Sequence, residues 1–434
     1  MTRRMLFVAM QMSPHAARWI NLIADQGWDL HLFPINYLPV LPEMRGVTVH
    51  QPWLRLRPRM TLRMLLDNPR GFFGGRCNIE AALHPNGLPV RAILPLPVVS
   101  PLDRILNRVM RVRLGESDIH APLLYGPRVL ARLVRRLQPD LIHSMEFQLC
   151  SYNVLRAKEI SGPGFPSWLA TNWGSDIYYY RNFPEHRSQI SRLLRSIDYY
   201  SCECTRDVGI ARELGLTAKV MPVMPNSGGF DLERVGALRH VHVPSARRLI
   251  MVKGYQHFAG RALTALDAIE RCASALSDFR IFVFSASTDV IERVQELQFS
   301  LGMNIQILPY SNHDKMLRMF ARSRVYLGVS VSDAISTSLL EAMATGAFPI
   351  QTNTSCCDEW IADGRSGFIV PPDDVDLIAD RIRRAVTDDG LVDQAAEINW
   401  RNVQERLDQR LLQQQAIAFY DEIFADLGQR RNLN

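Results

Sequence analysis

The sequence predicts an α/β protein made of two Rossmann-like, doubly wound domains. Two observations carry this prediction. A chain of 434 residues is too long for one ordinary core. Apolar runs of strand length also alternate with amphipathic helical stretches twice, once before and once after a stretch at 227–247 that reads as a linker. Hydrophobic residues make up 47% and charged residues 22%, which excludes a disordered chain. No run reaches the roughly 18 apolar residues of a membrane-spanning helix. The apolar start breaks at Gln11 with no small-residue cleavage site, so it reads as a strand and not as a leader.

The first half opens with a strand at 6–10, a helix carrying Trp19, Ile20, Leu22 and Ile23, and a strand at 28–33. Residues 36–125 are proline- and arginine-rich with weak periodicity, and read as an irregular basic insertion. Regular alternation returns with a helix at 129–137, strands at 139–143 and 167–171, a helix at 190–197, a strand at 199–202 and a helix at 206–214. The second half gives strands at 249–252, 279–284, 305–308, 325–329 and 348–351. Helices at 260–272, 289–299, 313–323, 336–344 and 375–386 separate and follow them, and 400–424 reads as one further helix. The expected domains are 1–235, 236–405 and a returning helix within 406–434. Ligands of such sheets sit at the carboxyl ends of the strands.

Charge and cysteine narrow the function classes. Between residues 51 and 136 stand fifteen arginines and five acids, a local net of +10 in a chain whose total is +6. An anionic partner follows, and without a nucleic-acid motif a membrane surface fits better than nucleic acid. Arginine alternates with apolar residues at 53–66 and 104–114, as in a segment that lies on an anionic bilayer. The seven cysteines include no CxxC pair and read as reduced thiols. No metal site is expected, since Asp374-Val-Asp376 falls at the start of a scaffold helix. No G-x-G-x-x-G follows the first strand, which argues against a dinucleotide dehydrogenase.

The most informative stretch runs from Val329 to Ile350. A strand ends, a loop carries Asp333, and a helix begins near Ser336, a good N-cap residue. Leu339, Leu340, Met343 and Ala344 form its apolar face, and Gly346 suits its end. A helix start offers unpaired N–H groups and a positive dipole end, so a diphosphate would be held there, helped by the hydroxyls of Ser336, Thr337 and Ser338. Glu341 lies further along the helix, where a carboxylate accepts hydrogen bonds from a ribose diol. Asp333 is placed to accept from a sugar hydroxyl. The two acids would clamp the ends of one sugar nucleotide.

Asp333-x7-Glu341 followed by Ala-Met-Ala-Thr-Gly resembles the E-x7-E signature of family 4 retaining glycosyltransferases of the GT-B fold, in which two Rossmann-like domains face each other across a cleft and a C-terminal helix packs back on the N-terminal domain. The resemblance gives Asp333 the donor sugar and Glu341 the ribose. Asp stands for the usual first Glu, and Ala334 for the usual Gly. The run Asp358 to Asp374, with Gly364 and Gly367 as turns and Asp374 as a cap, is similar to the family's downstream scaffold. Lys253-Gly254 takes the place of its Gly-Arg, and Arg261 is the nearest candidate for its second cation. Cations there would stabilise charge growing on the diphosphate. Only four lysines occur in the chain, which singles out Lys253.

In the first half, Ala170-Thr-Asn-Trp173-Gly174-Ser-Asp176 resembles the family's T-x-H-G-x-D, with Trp173 in place of the His. Trp173, Gly174, Asp176 and His143 are expected on the acceptor side, and neighbouring Glu146 is a further candidate. His15, after the first strand, is expected beside the interdomain cleft. The resemblance implies retention at the anomeric carbon without a metal or cofactor. The donor is then a nucleoside-diphosphate sugar, and the acceptor a glycan or lipid-linked glycan of cell-surface polysaccharide synthesis. The expected location is the cytoplasm, peripheral on the inner face of the membrane. The rivals are a GT-B sugar-nucleotide-modifying enzyme such as an epimerase, and a binding protein that kept the fold and lost turnover.

Overall fold

The computed structural model describes residues 2–35, 40–41, 43–51, 92–95, 127–239 and 241–433. The arginine-rich stretches at 53–66 and 104–114 lie outside the described residues. The chain divides into two compact units, one of residues 1–228 with 413–434 and the other of 229–412.

The first unit holds an eight-stranded sheet. Its strands are β1 (Arg4–Ala9), β2 (Asp29–Pro34), β3 (Thr48–Gln51), β4 (Ala92–Pro95), β5 (Leu141–Met145), β6 (Ser167–Thr171), β7 (Tyr199–Ser201) and β8 (Lys219–Val220). They lie in the order β4-β3-β2-β1-β5-β6-β7-β8, and every registered pair is parallel. The order reverses between β1 and β5. β3 and β4 both arise inside the segment read as an irregular insertion, so that segment supplies two strands of the sheet. β1 is almost continuously apolar, and β5 is buried along its whole length, because both faces are covered.

The final helix, Gln409–Leu433, closes over this unit from residue 413 onward. Trp19 Nε1 donates to Tyr420 Oη at 2.7 Å, and the Tyr420 hydroxyl meets His143 Nδ1 at 2.7 Å. Trp28 packs edge-on against Tyr420 and Phe424. An indole N–H can only donate, so the tyrosine proton points to His143. His143 Nε2 then carries the ring proton and donates to Thr171 Oγ1 at 2.7 Å. Burial pushes the His143 pKa down to about 3 and keeps the ring neutral.

The second unit holds a six-stranded parallel sheet in the order β11-β10-β9-β12-β13-β14. Its strands are β9 (Leu249–Lys253), β10 (Arg280–Phe284), β11 (Ile305–Leu308), β12 (Val325–Gly328), β13 (Phe348–Thr352) and β14 (Phe368–Val370). Ile250, Val252, Val283, Leu327 and Ile350 from the strands bury against Leu266, Ile269 and Ile382 from the helices. The order reverses between β9 and β12, which makes the crevice at their carboxyl ends the ligand position of this architecture. Asp374 caps helix Val375–Thr387 by accepting from Leu377 N at 2.9 Å, as the sequence predicts.

Three elements differ from the reading of the sequence. The stretch at 400–424 is not one helix, because helix Asp389–Arg406 ends and helix Gln409–Leu433 begins three residues later. Phe230 accounts for the break: its N–H donates to Leu407 O at 2.7 Å, and its carbonyl accepts from Gln409 N at 3.0 Å. No glycine or proline marks the place, so no local signal predicted it. Helix Leu232–Arg239 forms inside the presumed linker, and helix Tyr152–Ser161 follows β5. Among the described residues, no helix is long and apolar enough to cross a membrane.

Candidate functional site

Three loops meet at the switch point of the second unit. The loop 255–261 after β9 lies along the loop after β12, with Arg261 N donating to Val329 O at 3.0 Å and Val331 N to Ala259 O at 2.7 Å. The loop after β13 completes the frame. Ser330 N donates to Thr352 Oγ1 at 3.1 Å, Thr354 Oγ1 to Ser330 O at 2.6 Å, and Asp333 N to Thr354 O at 3.3 Å. These bonds hold the Asp333 loop in place before any ligand arrives.

Lys253 ends β9 and reaches into this frame. Its Nζ lies 3.5 Å from Asp333 Oδ2, with the side chains 14% and 25% exposed. It also donates to Ser336 Oγ at 3.3 Å and lies over the Tyr255 ring. Burial pulls the Lys253 pKa down, but Asp333 and the two tyrosine oxygens at 326 and 255 outweigh it, and the net shift is upward. The group is therefore a fixed ammonium.

Ser336 occupies the N-cap of helix Thr337–Thr345 with an extended backbone, yet its side chain makes no capping bond. It serves another chain of contacts. Tyr326 Oη donates to Gln351 Oε1 at 3.1 Å, so Ser336 Oγ, 3.3 Å from Tyr326 Oη, donates to the tyrosine and accepts from Lys253. The helix has no acid in its first turn, and Thr337 and Ser338 stand there half-buried. Its first N–H groups have no partner within the helix, and its dipole is positive at this end. Gly346, at φ 84°, stops it.

Gly254 has a steric role: a Cβ there would stand 2.7 Å from Phe284 O, and its N–H already donates to that carbonyl at 2.8 Å. Arg261 folds its guanidinium onto the loop, donating to Gly260 O at 2.7 Å and His257 O at 2.9 Å. His257, lowered in pKa by burial and then by Lys253 and Arg261, registers the positive field of the region.

Glu341 is buried in the second turn of its helix. Its Oε1 accepts from His313 Nε2 at 2.9 Å. Spacing within the sequence carried no sign of His313 or of Tyr326, since each reaches the site from a separate element.

The first unit brings a different set together at its own switch point. Glu146 follows β5 at φ 86°, a left-handed conformation that costs a glutamate energy. Its carboxylate accepts from Leu149 N and Cys150 N, at 2.8 and 2.9 Å, and holds the turn Phe147–Ser151. Asp176 grips the same turn by accepting from Phe147 N at 2.9 Å, and accepts from Trp173 N at 2.7 Å. Burial raises both carboxyls, Glu146 to about 7, and the charge of Glu146 raises Asp176 further. Gly174 caps the short helix Ser175–Tyr178. His15 lies beside Trp173, with ring centroids 5.5 Å apart. His143 stands apart from this group: it is fully buried beneath the last helix, with both nitrogens hydrogen-bonded.

Comparison with known proteins bears on this geometry. Residues 268–401 match the family model described as glycosyl transferases group 1, and residues 77–203 match the one described as glycosyl transferase 4-like. The first match includes Asp333, Glu341 and His313. The chain has the GT-B fold, and a stretch of each unit matches a glycosyltransferase family model. Sucrose-phosphate synthase from Thermosynechococcus elongatus shares the fold with a TM-score of 0.66 at 12% identity, over 98% of this chain and 100% of that one. Anabaena HepE, solved in complex with UDP-glucose, shares it with a TM-score of 0.61 at 13% identity, over 96% and 99%. A Streptomyces coelicolor exopolysaccharide phosphotransferase is 28% identical over 193 residues, which are 42% of this chain. The chain spans only 19% of the length of that relative.

Proposed function

We propose that this protein is a retaining glycosyltransferase that moves a hexose from a nucleoside-diphosphate sugar to a glycan or lipid-linked acceptor in cell-surface polysaccharide synthesis. The observation that carries the reading is the row Asp333, Lys253, Ser336 and Glu341 at the switch point of the second sheet. An acid for the sugar, an ammonium and a helix start for the diphosphate, and an acid for the ribose follow one another as the parts of a sugar nucleotide do. The fold shared with a protein solved with UDP-glucose supports a nucleotide-sugar donor. The exopolysaccharide relative supports the polysaccharide setting.

The chemistry is transfer at the anomeric carbon. The acceptor hydroxyl oxygen bonds to that carbon on the face the diphosphate leaves, the carbon–oxygen bond to the diphosphate breaks, and the acceptor proton passes to a diphosphate oxygen. Lys253 and the N–H groups at Thr337 and Ser338 stabilise the growing charge. Asp333 orients the sugar, and Glu341 the ribose. Arg261 joins the cationic side, with its guanidinium turning from the loop carbonyls. His15, Trp173, Gly174 and Asp176 belong to the acceptor side. No metal or cofactor takes part in this scheme.

Thermal stabilisation by a panel of UDP-, GDP-, ADP- and dTDP-sugars, with Glu341→Ala beside the wild type, tests the reading. One nucleotide class is expected to shift the wild type and not the variant. No shift at millimolar concentration would sink the catalytic reading in favour of a fold kept without turnover. The peripheral membrane assignment rests on the arginine-rich stretches at 53–66 and 104–114. Vesicles with anionic lipid are expected to retain the protein at low salt and release it as salt rises.

A further inference from the structure

We infer that His313 is a positioning residue that sets the enzyme's preference for a ribonucleotide donor by holding the Glu341 carboxylate in the orientation a ribose diol requires. The inference rests on the proposed donor reading and adds a residue that the signature stretch does not contain.

The contact itself is direct. His313 Nε2 lies 2.9 Å from Glu341 Oε1. A carboxylate only accepts, so Nε2 carries the proton and donates. Glu341 is 9% exposed in its side chain and His313 is 41% exposed. The acid is thus nearly enclosed, while the imidazole that grips it is much more exposed. A carboxylate has about four lone-pair positions, so it can accept from an imidazole and from a diol at the same time.

His313 is in turn held from its own element. It is the first residue of helix His313–Ala321, whose start is fixed by the Asn312 side chain accepting from Lys315 N at 3.0 Å. Asp314, the next residue, pairs with Arg234 on helix Leu232–Arg239. The imidazole is therefore presented from a capped and anchored helix end. Such support is what a recognition carboxylate needs to keep its geometry.

The position along the donor agrees. Glu341 is five residues beyond the N-cap Ser336 that touches Lys253. At 1.5 Å per residue this is about 7.5 Å along the helix axis, the scale of the separation between a diphosphate and the ribose hydroxyls. A merely structural histidine would stabilise the helix pair whatever sugar the nucleotide carried. A positioning histidine acts only on a ligand that offers the diol.

Calorimetric titration with UDP, GDP and ADP, and with their 2′-deoxy counterparts, separates these roles. The wild type is expected to bind one ribonucleotide at least tenfold tighter than its 2′-deoxy form. His313→Ala is expected to weaken the ribonucleotide five- to twentyfold and leave the 2′-deoxy form within about twofold, so that discrimination collapses. His313→Gln, which keeps an N–H donor, should recover part of it. An equal loss on both forms, or a wild type indifferent to the 2′-hydroxyl, overturns the role of His313 while leaving the donor site intact. A wild type that binds none of the six nucleotides overturns the donor reading as well. The thermal midpoint of each variant, measured alone, reports whether the fold has been kept.

Discussion

Lys253 and Asp333 come from the carboxyl end of one strand and the loop after its neighbour, and their charges meet at 3.5 Å where the order of the sheet reverses. The pair is partly buried, and Ser336 links its ammonium to the start of the helix that follows. A cation, an anion and a helix dipole are therefore prearranged within one frame. Such fixed charge acts on a reacting group without the reorganisation that water would need.

Lys253→Ala removes the ammonium beside the proposed diphosphate. Transfer is expected to fall by about 10²–10³, the range for losing one fixed electrostatic contact to the leaving charge. Nucleoside diphosphate binding should weaken with it, and Lys253→Arg should retain part of both. Initial rates and calorimetry measure the two. A Lys253→Ala enzyme that transfers at the wild-type rate would contradict the assignment.

Asp333 is assigned to the sugar and not to the nucleotide, so its variants should divide the two. Asp333→Ala is expected to lower kcat at least tenfold, while nucleoside diphosphate binding stays within a few-fold. Asp333→Glu lengthens the acid by one methylene and should reorder the rates with gluco-, galacto- and manno-configured donors. Equal losses in turnover and nucleotide affinity would place Asp333 elsewhere in the donor site.

Glu146 carries a pH signature. Its folded pKa stands near 7, raised from 4.5 mainly by burial. The folded state therefore holds a proton that the unfolded state releases. This contribution is fully present below about pH 4.5 and is lost as pH rises through about 7. Glu146→Gln keeps the acceptor carbonyl and removes the titration. Its stability relative to wild type should rise between pH 5 and pH 8 by about 2–3 kcal/mol. Denaturant melts at the two pH values would show this, and parallel curves would refute it.

Gly260→Ala tests the frame of the site. A Cβ at this position would stand 2.2 Å from Tyr255 O, a backbone atom that cannot step aside alone. Destabilisation of about 1–3 kcal/mol is expected for such overpacking. Because the loop 255–261 carries Arg261 and borders Lys253, stabilisation by the donor should shrink too. An unchanged melt and ligand shift would mean that the loop is looser than its contacts imply.

Tyr420→Phe tests the closure of the last helix over the first unit. It removes the hydroxyl that accepts from Trp19 and donates to His143, and leaves both buried groups without that partner. A loss of about 1–3 kcal/mol follows from the desolvation of unpaired polar atoms. Chemical denaturation of the two proteins measures it, and a neutral result would show that the helix is held by its aromatic packing alone.

Much of the architecture was legible along the chain. Parallel strands buried on both faces read as short apolar runs, and surface helices read as stripes, because each element's own backbone hydrogen bonds and burial impose its period. The helix after Asp333 declared its start at Ser336 and its end at Gly346 for the same local reason. Elements whose form depends on distant segments were silent. Phe230 breaks the helix near Leu407, and the two outermost strands within 36–125, β3 and β4, exist only through pairing with their neighbours.

By itself, then, the sequence determined two alternating α/β domains and the stretch that carries Asp333 and Glu341, since both are written in local spacing. The partners of those residues were decided by the tertiary structure alone. Sheet order sets Lys253 beside Asp333, and packing of separate helices sets His313 on Glu341. It turned Ser336 from a helix cap into a link to Lys253, and buried His143 under the last helix. It also drew Glu146 and Asp176 onto one turn. Local spacing encodes the elements because their hydrogen bonds join near neighbours. Side-chain partnership across elements depends on strand order and helix packing, which no spacing records.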